Sequence, residues 1–259
     1  MKVLFFGDIF GKPGRMALHR QLPSLRNRYS SDFVVVNAEN LADGRGVTEK
    51  TLKPLFGAGV DAVTSGNHLW DREESLDFIS REFRIVKPMN YPAAAPGASL
   101  FIARKEDLRL GIVCLTGQVY MPPCDSPFTA FDSFWENWQK DAPLLVDFHA
   151  ESTAETRALG WHLDGRASAM IGTHTHIQTA DEEILPQGTA YLTDVGMTGA
   201  HESVIGVKKE IILEKFKSSV PRRYETSERG LMINAVFIET DPISHRAIKI
   251  ERIRIPVEL

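Results

Sequence analysis

The sequence predicts an α/β sandwich: mixed sheets at the centre, helices outside. Short apolar runs alternate with helix-forming stretches through most of the chain, the tail reads as strands around one helix, and the most distinctive polar clusters sit directly after apolar runs. With 259 residues, 43% hydrophobic and 25% charged, the chain can bury a large core, and a single domain over 1–259 is expected.

The elements follow in order. Residues 2–7 read as a strand that breaks at Asp8 into a loop holding Gly11, Pro13 and Gly14, with a helix running on to residue 28. Residues 32–37 form a second strand. A polar loop to Gly46, a helix over 48–58 and a third strand over 60–65 come next. Strands at 99–103 and 109–115 are joined by the turn-prone Lys105, Glu106 and Asp107, and a long loop covers 116–127. A strand at 143–148, a helix at 152–162 and a strand at 167–172 resume the alternation. From residue 189 the pattern is strands around one helix at 208–217, ending in 231–238 and 247–255 with a turn at 241–245. There is no repeat of solenoid period and no low-complexity tract.

Composition excludes several classes. A formal charge of −4 provides no general field for nucleic acid or anionic lipid, and no basic stripe interleaved with aromatics marks an extended nucleic-acid track. The opening MKVLFFGDIFGKPG has too short an apolar run for a signal peptide, and no stretch approaches the ~20 apolar residues of a membrane span, so a cytoplasmic chain without membrane contact is expected. Cys114 and Cys124, with Pro122 and Pro123 between them, read as free thiols.

The chemistry gathers at strand ends. Asp8 follows LFFG, Glu39 and Asn40 follow FVVVNA, Asn67 and His68 follow VDAVTSG, His149 follows LLVDF, and His174 and His176 follow ASAMIGT. Strand ends on one sheet edge are neighbours in space, so these residues are expected to converge on one pocket. Carboxylate, amide and imidazole donors without thiolate suit iron, manganese or zinc. Seven donors exceed the needs of one first-row ion and suit two, with Glu39 as the bridge. Alternation along an extended segment would point His174 and His176 the same way, each toward a different metal. Singly, each residue has an ordinary reading: Asp8 and Asn67 as caps, Glu39-Asn40 as an Asx-turn, His149 as a satisfied histidine. Coincidence would have to recur at all five strand ends. His19, His162, His201 and His245 stand beside no other candidate ligand and take the ordinary reading.

The order Asp, Glu, Gly-Asn-His, His, Gly-x-His-x-His resembles the calcineurin-like dinuclear metallophosphoesterases. The segments GDIFGKPGR (7–15), NAEN (37–40), TSGNHLWD (64–71), FHAE (148–151), GTHTHIQTAD (172–181) and TDVGMTG (193–199) resemble their bacterial 2′,3′-cyclic-nucleotide 2′-phosphodiesterase branch. The resemblance extends over nearly the whole chain and implies a sandwich of two mixed β-sheets flanked by α-helices. Most superfamily members carry a His where Phe10 stands and a Gly-Asp pair at Ala38-Glu39. The branch pattern implies that Asn40 compensates, joining Asp8, Glu39 and His176 around one metal, while Glu39, Asn67, His149 and His174 hold the other. It also carries Arg at the place of Gln118.

The expected reaction is hydrolysis of a 2′,3′-cyclic nucleotide to the 3′-nucleotide by a metal-bridged hydroxide, with His68, beside Asn67 but outside the ligand set, as general acid. The substrate is a small nucleotide or a short RNA end. The rival enzyme readings are a broader phosphomonoesterase or a nuclease of the same fold. A reading from another class is a regulatory binding protein with incidental catalysis, which would need neither an open metal position nor an acid. Sheet edges leave room for a homo-oligomer, although no residue pattern specifies one.

Overall fold

The computed structural model describes residues 1–258. β1 (Lys2–Phe6) and β2 (Asp8–Ile9) lead into α1 (Gly11–Tyr29), followed by β3 (Phe33–Asn37), α2 (Glu49–Gly57) and β4 (Ala62–Thr64). A 3-10 turn at Glu73–Ser75 precedes α3 (Leu76–Arg81), β5 (Phe101–Lys105), β6 (Leu108–Thr116) and α4 (Pro127–Asn137). β7 (Leu144–His149), α5 (Thr153–Leu163) and β8 (Ala169–Thr173) continue the alternation. β9 (Glu183–Ile184), β10 (Ala190–Leu192), β11 (Met197–Ala200), α6 (Lys209–Ser218), β12 (Leu231–Thr240) and β13 (Ala247–Pro256) complete the chain.

Two mixed sheets result. The first runs β2-β11-β12-β1-β3-β4 with β13 added on β12, and the second runs β5-β6-β7-β8-β10-β9. Within them β1, β3 and β4 are parallel, as are β6, β7, β8 and β10. The period of two along each strand assigns the faces. Val3 and Phe5 of β1 and Val35 of β3 join Ile112 of β6, Leu145 of β7 and Ile171 of β8 in a core between the sheets. Leu4, Phe6, Val34 and Val36 face the other way, onto Leu18, Leu22 and Leu25 of α1 and Leu52 of α2. The outer face of the second sheet packs Val113, Val146 and Phe148 against Phe131 of α4 and Leu159 of α5. Both faces of the central strands are therefore buried, which is why FVVV and LLV are continuous apolar runs rather than alternating ones.

The fold departs from the sequence expectation in several places, α3 and β9 among them. The reading assigned no element between the loop at 116–127 and the strand at 143, where α4 lies. Asp8 is not a loop residue but opens β2, which pairs with β11. Most consequentially, the strand ends that carry the polar clusters belong to both sheets rather than to one edge.

Candidate metal centre

The first sheet contributes Asp8 on β2, Glu39 and Asn40 after β3, and Asn67 and His68 after β4; the second contributes His149 as the last residue of β7, and His174 and His176 after β8. Face-to-face packing brings the C-terminal ends of the two parallel sets side by side, so the cluster lies across the junction.

Glu39, His149 and His174 form one group, with Glu39 Oε1 3.1 Å from His149 Nε2 and His149 Nε2 3.0 Å from His174 Nδ1. Asp8, Asn40 and His176 form the other. Asn40 Nδ2 donates to Asp8 Oδ1 at 3.3 Å and to His176 Nε2 at 3.1 Å, and His176 Nε2 is 3.8 Å from Asp8 Oδ1. Asn40 Nδ2 also reaches Glu39 Oε1 at 3.2 Å, so one carboxylate oxygen belongs to both groups.

Each imidazole uses its outward nitrogen on a protein partner and turns the other inward: His176 Nδ1 donates to the Ile205 carbonyl at 3.0 Å, His174 Nε2 lies 3.1 Å from Glu151 Oε2, and His149 Nδ1 lies 2.9 Å from Thr173 Oγ1. The two rings of the HxH pair face different groups, but not by alternation along a strand. His174 has φ 110° and His176 φ 67°, so the segment is a left-handed turn and not extended. Asp194 holds it, accepting from the Thr175 N–H and hydroxyl, both at 2.8 Å, and from the Gly196 N–H at 2.7 Å.

The donor set fits divalent cations. Asn67 Oδ1 is buried without a hydrogen-bond partner, an orphaned oxygen of the kind a cation answers. A Cβ built on Gly66 would come within 2.1 Å of His149 Cδ2 and 2.4 Å of Glu39 Oε2, so only glycine lets the loop before Asn67 approach this closely. The charges respond in the same sense. Burial opposes ionisation of Glu39, yet the charge and hydrogen bond of His149 hold its carboxyl down to about 2. Burial likewise opposes a charged His149, but Glu39, Asp8 and Asp147 outweigh it and push the ring up to about 9. Burial, reinforced by charge on His149, pushes His174 down to about 3. Buried acceptors thus converge on a point that attracts positive charge. Asn40 meets its acceptors with Nδ2, and a half-turn of the amide would turn Oδ1 to a cation instead.

His68 stands at the rim. Its backbone N–H donates to Glu39 Oε2 at 3.0 Å, and its Nδ1 lies 2.8 Å from Asp71 Oδ2, with Arg45 Nη1 3.8 Å from that same oxygen. A cavity of about 390 Å³ is lined by Glu39, Asn40, His68, His174 and His176 together with Ile205, Val207 and Tyr224. A separate cavity of about 220 Å³ between α1 and α2 contains none of the candidate ligands. Phe10 fills space beside the centre, its ring centroid 5.5 Å from that of His176.

Gln118 does not line the pocket; its amide donates to the Cys124 carbonyl at 2.8 Å. His162 pairs with Asp132, and His201 with the Met197 carbonyl. Cys114 and Cys124 are free. Sequence reasoning passed over Asp71, Asp147 and Asp194 as site residues. Of these, Asp147 left the plainest signal: a charged residue inside the apolar run LLVDFH.

The profile of the family described as YmdB-like protein matches residues 4–253. The chain belongs to the YmdB-like family. It is 43% identical over 256 residues to the 2′,3′-cyclic-nucleotide 2′-phosphodiesterase of Bacillus subtilis (strain 168), covering 98% of this chain and 97% of that protein. Among solved structures it superposes on a phosphatase of Mycoplasma pneumoniae with a TM-score of 0.94 and 35% identity, covering 99% of this chain and 93% of the other. A hypothetical protein of Thermus thermophilus superposes with a TM-score of 0.93 and 39% identity over 99% of both chains. Among the described residues no helix is long and apolar enough to cross a membrane.

Proposed function

We propose that this YmdB-like chain is a cytoplasmic, single-domain dimetal phosphodiesterase that opens 2′,3′-cyclic nucleotides to 3′-nucleotides. The observation that carries the reading is the juxtaposition, in one pocket, of two donor groups sharing Glu39 with the His68–Asp71 pair at their rim. The name of the Bacillus subtilis relative supports the substrate class.

Asp8, Glu39, Asn40 and His176 would hold one ion and Glu39, Asn67, His149 and His174 the other, with iron, manganese or zinc matching these nitrogen and oxygen donors. Two such ions, when bound, supply a nucleophile from water near neutral pH and offset charge on the phosphoryl oxygens. The chain's own part is proton transfer and orientation. Asp71 accepts a hydrogen bond from His68 Nδ1–H, which fixes the ring and leaves Nε2 to protonate the departing 2′ oxygen. Ile205, Val207 and Tyr224 in the pocket lining offer an apolar wall for the nucleoside.

His68→Ala is expected to lose turnover by about 10²–10⁴-fold, the usual worth of a positioned acid, while retaining its metals. Steady-state rates on 2′,3′-cyclic AMP, with metal content measured on the same sample, check this. Metal loss proportional to the activity loss would remove the acid assignment. A panel of 2′,3′-cyclic AMP, 3′,5′-cyclic AMP and 4-nitrophenyl phosphate tests the substrate class. Fastest turnover on 4-nitrophenyl phosphate would replace this reading with a phosphomonoesterase.

A further inference from the structure

Asp147 is fully buried where the two sheets meet, and nothing in the proposed reaction uses it. A carboxylate buried this completely needs hydrogen-bond donors for its oxygens. Asn37 Nδ2 donates to Oδ2 at 2.9 Å, the Thr64 hydroxyl donates to the same oxygen, and the Thr173 hydroxyl donates to Oδ1 at 2.7 Å. The orientation of the Asn37 amide is fixed by its own oxygen, which accepts the Glu39 N–H at 3.1 Å. Three strand ends, β3, β4 and β8, thus point donors at one residue of β7.

A threonine hydroxyl has one proton to give. Thr173 gives it to Asp147, so its oxygen accepts from its remaining neighbours, Asn37 Nδ2 at 3.3 Å and His149 Nδ1 at 2.9 Å. One donation and two acceptances use the hydroxyl completely. The reverse direction, Thr173 donating to His149, would leave Asp147 Oδ1 buried without a donor. His149 therefore carries a proton on Nδ1, and Nε2, 3.1 Å from Glu39 and 3.0 Å from His174, is the nitrogen turned toward the other candidate ligands.

We propose that Asp147 is a positioning residue that acts through Thr173 to hold His149 as the Nδ1–H tautomer, with Nε2 presented to a metal ion. This rests on reading His149 as a metal ligand. A partner that fixes the tautomer and orientation of a ligating histidine usually governs 10- to 100-fold in metal affinity, roughly the effect expected here.

Asp147→Asn keeps the shape but has one acceptor instead of two. Its NH₂ group either faces Thr173, which must then donate to His149 Nδ1 and move the imidazole proton to Nε2, or faces the two donors Asn37 and Thr64. Titration calorimetry with Mn²⁺ on the metal-stripped full chain should show binding weakened by roughly 10- to 100-fold in Asp147→Asn and in Thr173→Val, with Thr173→Ser, which keeps the hydroxyl, close to the unaltered chain. In the Zn²⁺-loaded, ¹⁵N-histidine-labelled protein, His149 should show a protonated Nδ1 and a metal-shifted Nε2. If Asp147→Asn does not fold, the Thr173 pair and the nitrogen spectrum decide. Mn²⁺ affinity unchanged in Asp147→Asn or Thr173→Val, or a His149 bound through Nδ1, would overturn the relay. An unaltered chain that binds no Mn²⁺ or Zn²⁺ would remove the metal reading and this inference with it.

Discussion

Gly66 shows how closely the ligands are packed, since a single methyl there would overlap both His149 and Glu39. Gly66→Ala is expected to keep the fold, by far-ultraviolet circular dichroism, and to weaken Mn²⁺ binding by roughly tenfold or more, because one ligand must move. Cys124 carries a pH prediction. Burial, followed by the charges of Glu155 and Asp125, pushes its thiol from 9.0 up to about 11. A raised value means that the fold favours the neutral thiol: the associated stability is fully present below pH 9 and lost as pH rises through 11. At pH 8 the folded chain should alkylate at Cys124 roughly 100-fold more slowly than the unfolded chain, in line with its smaller thiolate fraction. Iodoacetamide labelling with mass spectrometry measures it, and equal rates would contradict the buried setting.

Among the elements, α2 is the clearest case of local signals agreeing with the final structure. Thr48 accepts from the Thr51 N–H at 3.2 Å and the Thr51 hydroxyl answers the Thr48 N–H at 3.0 Å, a reciprocal cap at the position where the sequence starts the helix. Thr48→Ala should cost about 1 kcal/mol, read as a lower urea midpoint at unchanged slope. The central strands were equally legible, because a continuous apolar run such as FVVV fits a strand covered on both faces. α4 was not. Ser126 before Pro127 is a start pattern, but it closes a loop already rich in proline, Ser126 makes no side-chain cap and the first turn holds no acidic residue, so the signal was weak; packing of Phe131 against the second sheet fixes the helix. The HxH pair was misread for a related reason: an extended backbone was assumed, and the left-handed turn depends on Asp194, twenty residues from His174 in the chain and invisible to local pattern.

For the molecule as a whole, the candidate ligands could be named from sequence because they follow strands. Their distribution over two sheets could not, since pairing order is set by long-range contacts. That distribution makes metal content a matter of global stability. Ions held by Asp8 and Glu39 on one side and His149 and His174 on the other would tie the sheets together. Ligand at 100 times its dissociation constant contributes about 2.7 kcal/mol, and a chain of this size gains roughly 2–4 °C per kcal/mol. Chelation should lower the melting temperature by roughly 5–10 °C, with recovery on adding Mn²⁺; calorimetric scans of stripped and loaded protein test this. The turn carrying His174 and His176 has a different consequence. Both residues hold backbone angles that glycine adopts freely and that other residues adopt at a cost of order 1–3 kcal/mol. In the metal-free chain, selection for thermal robustness alone would therefore push these two positions toward glycine and away from the imidazoles. Without metal, activity and heat resistance pull against each other at this turn, and a laboratory screen that rewards only survival on heating in the presence of a chelator would tend to erase the centre.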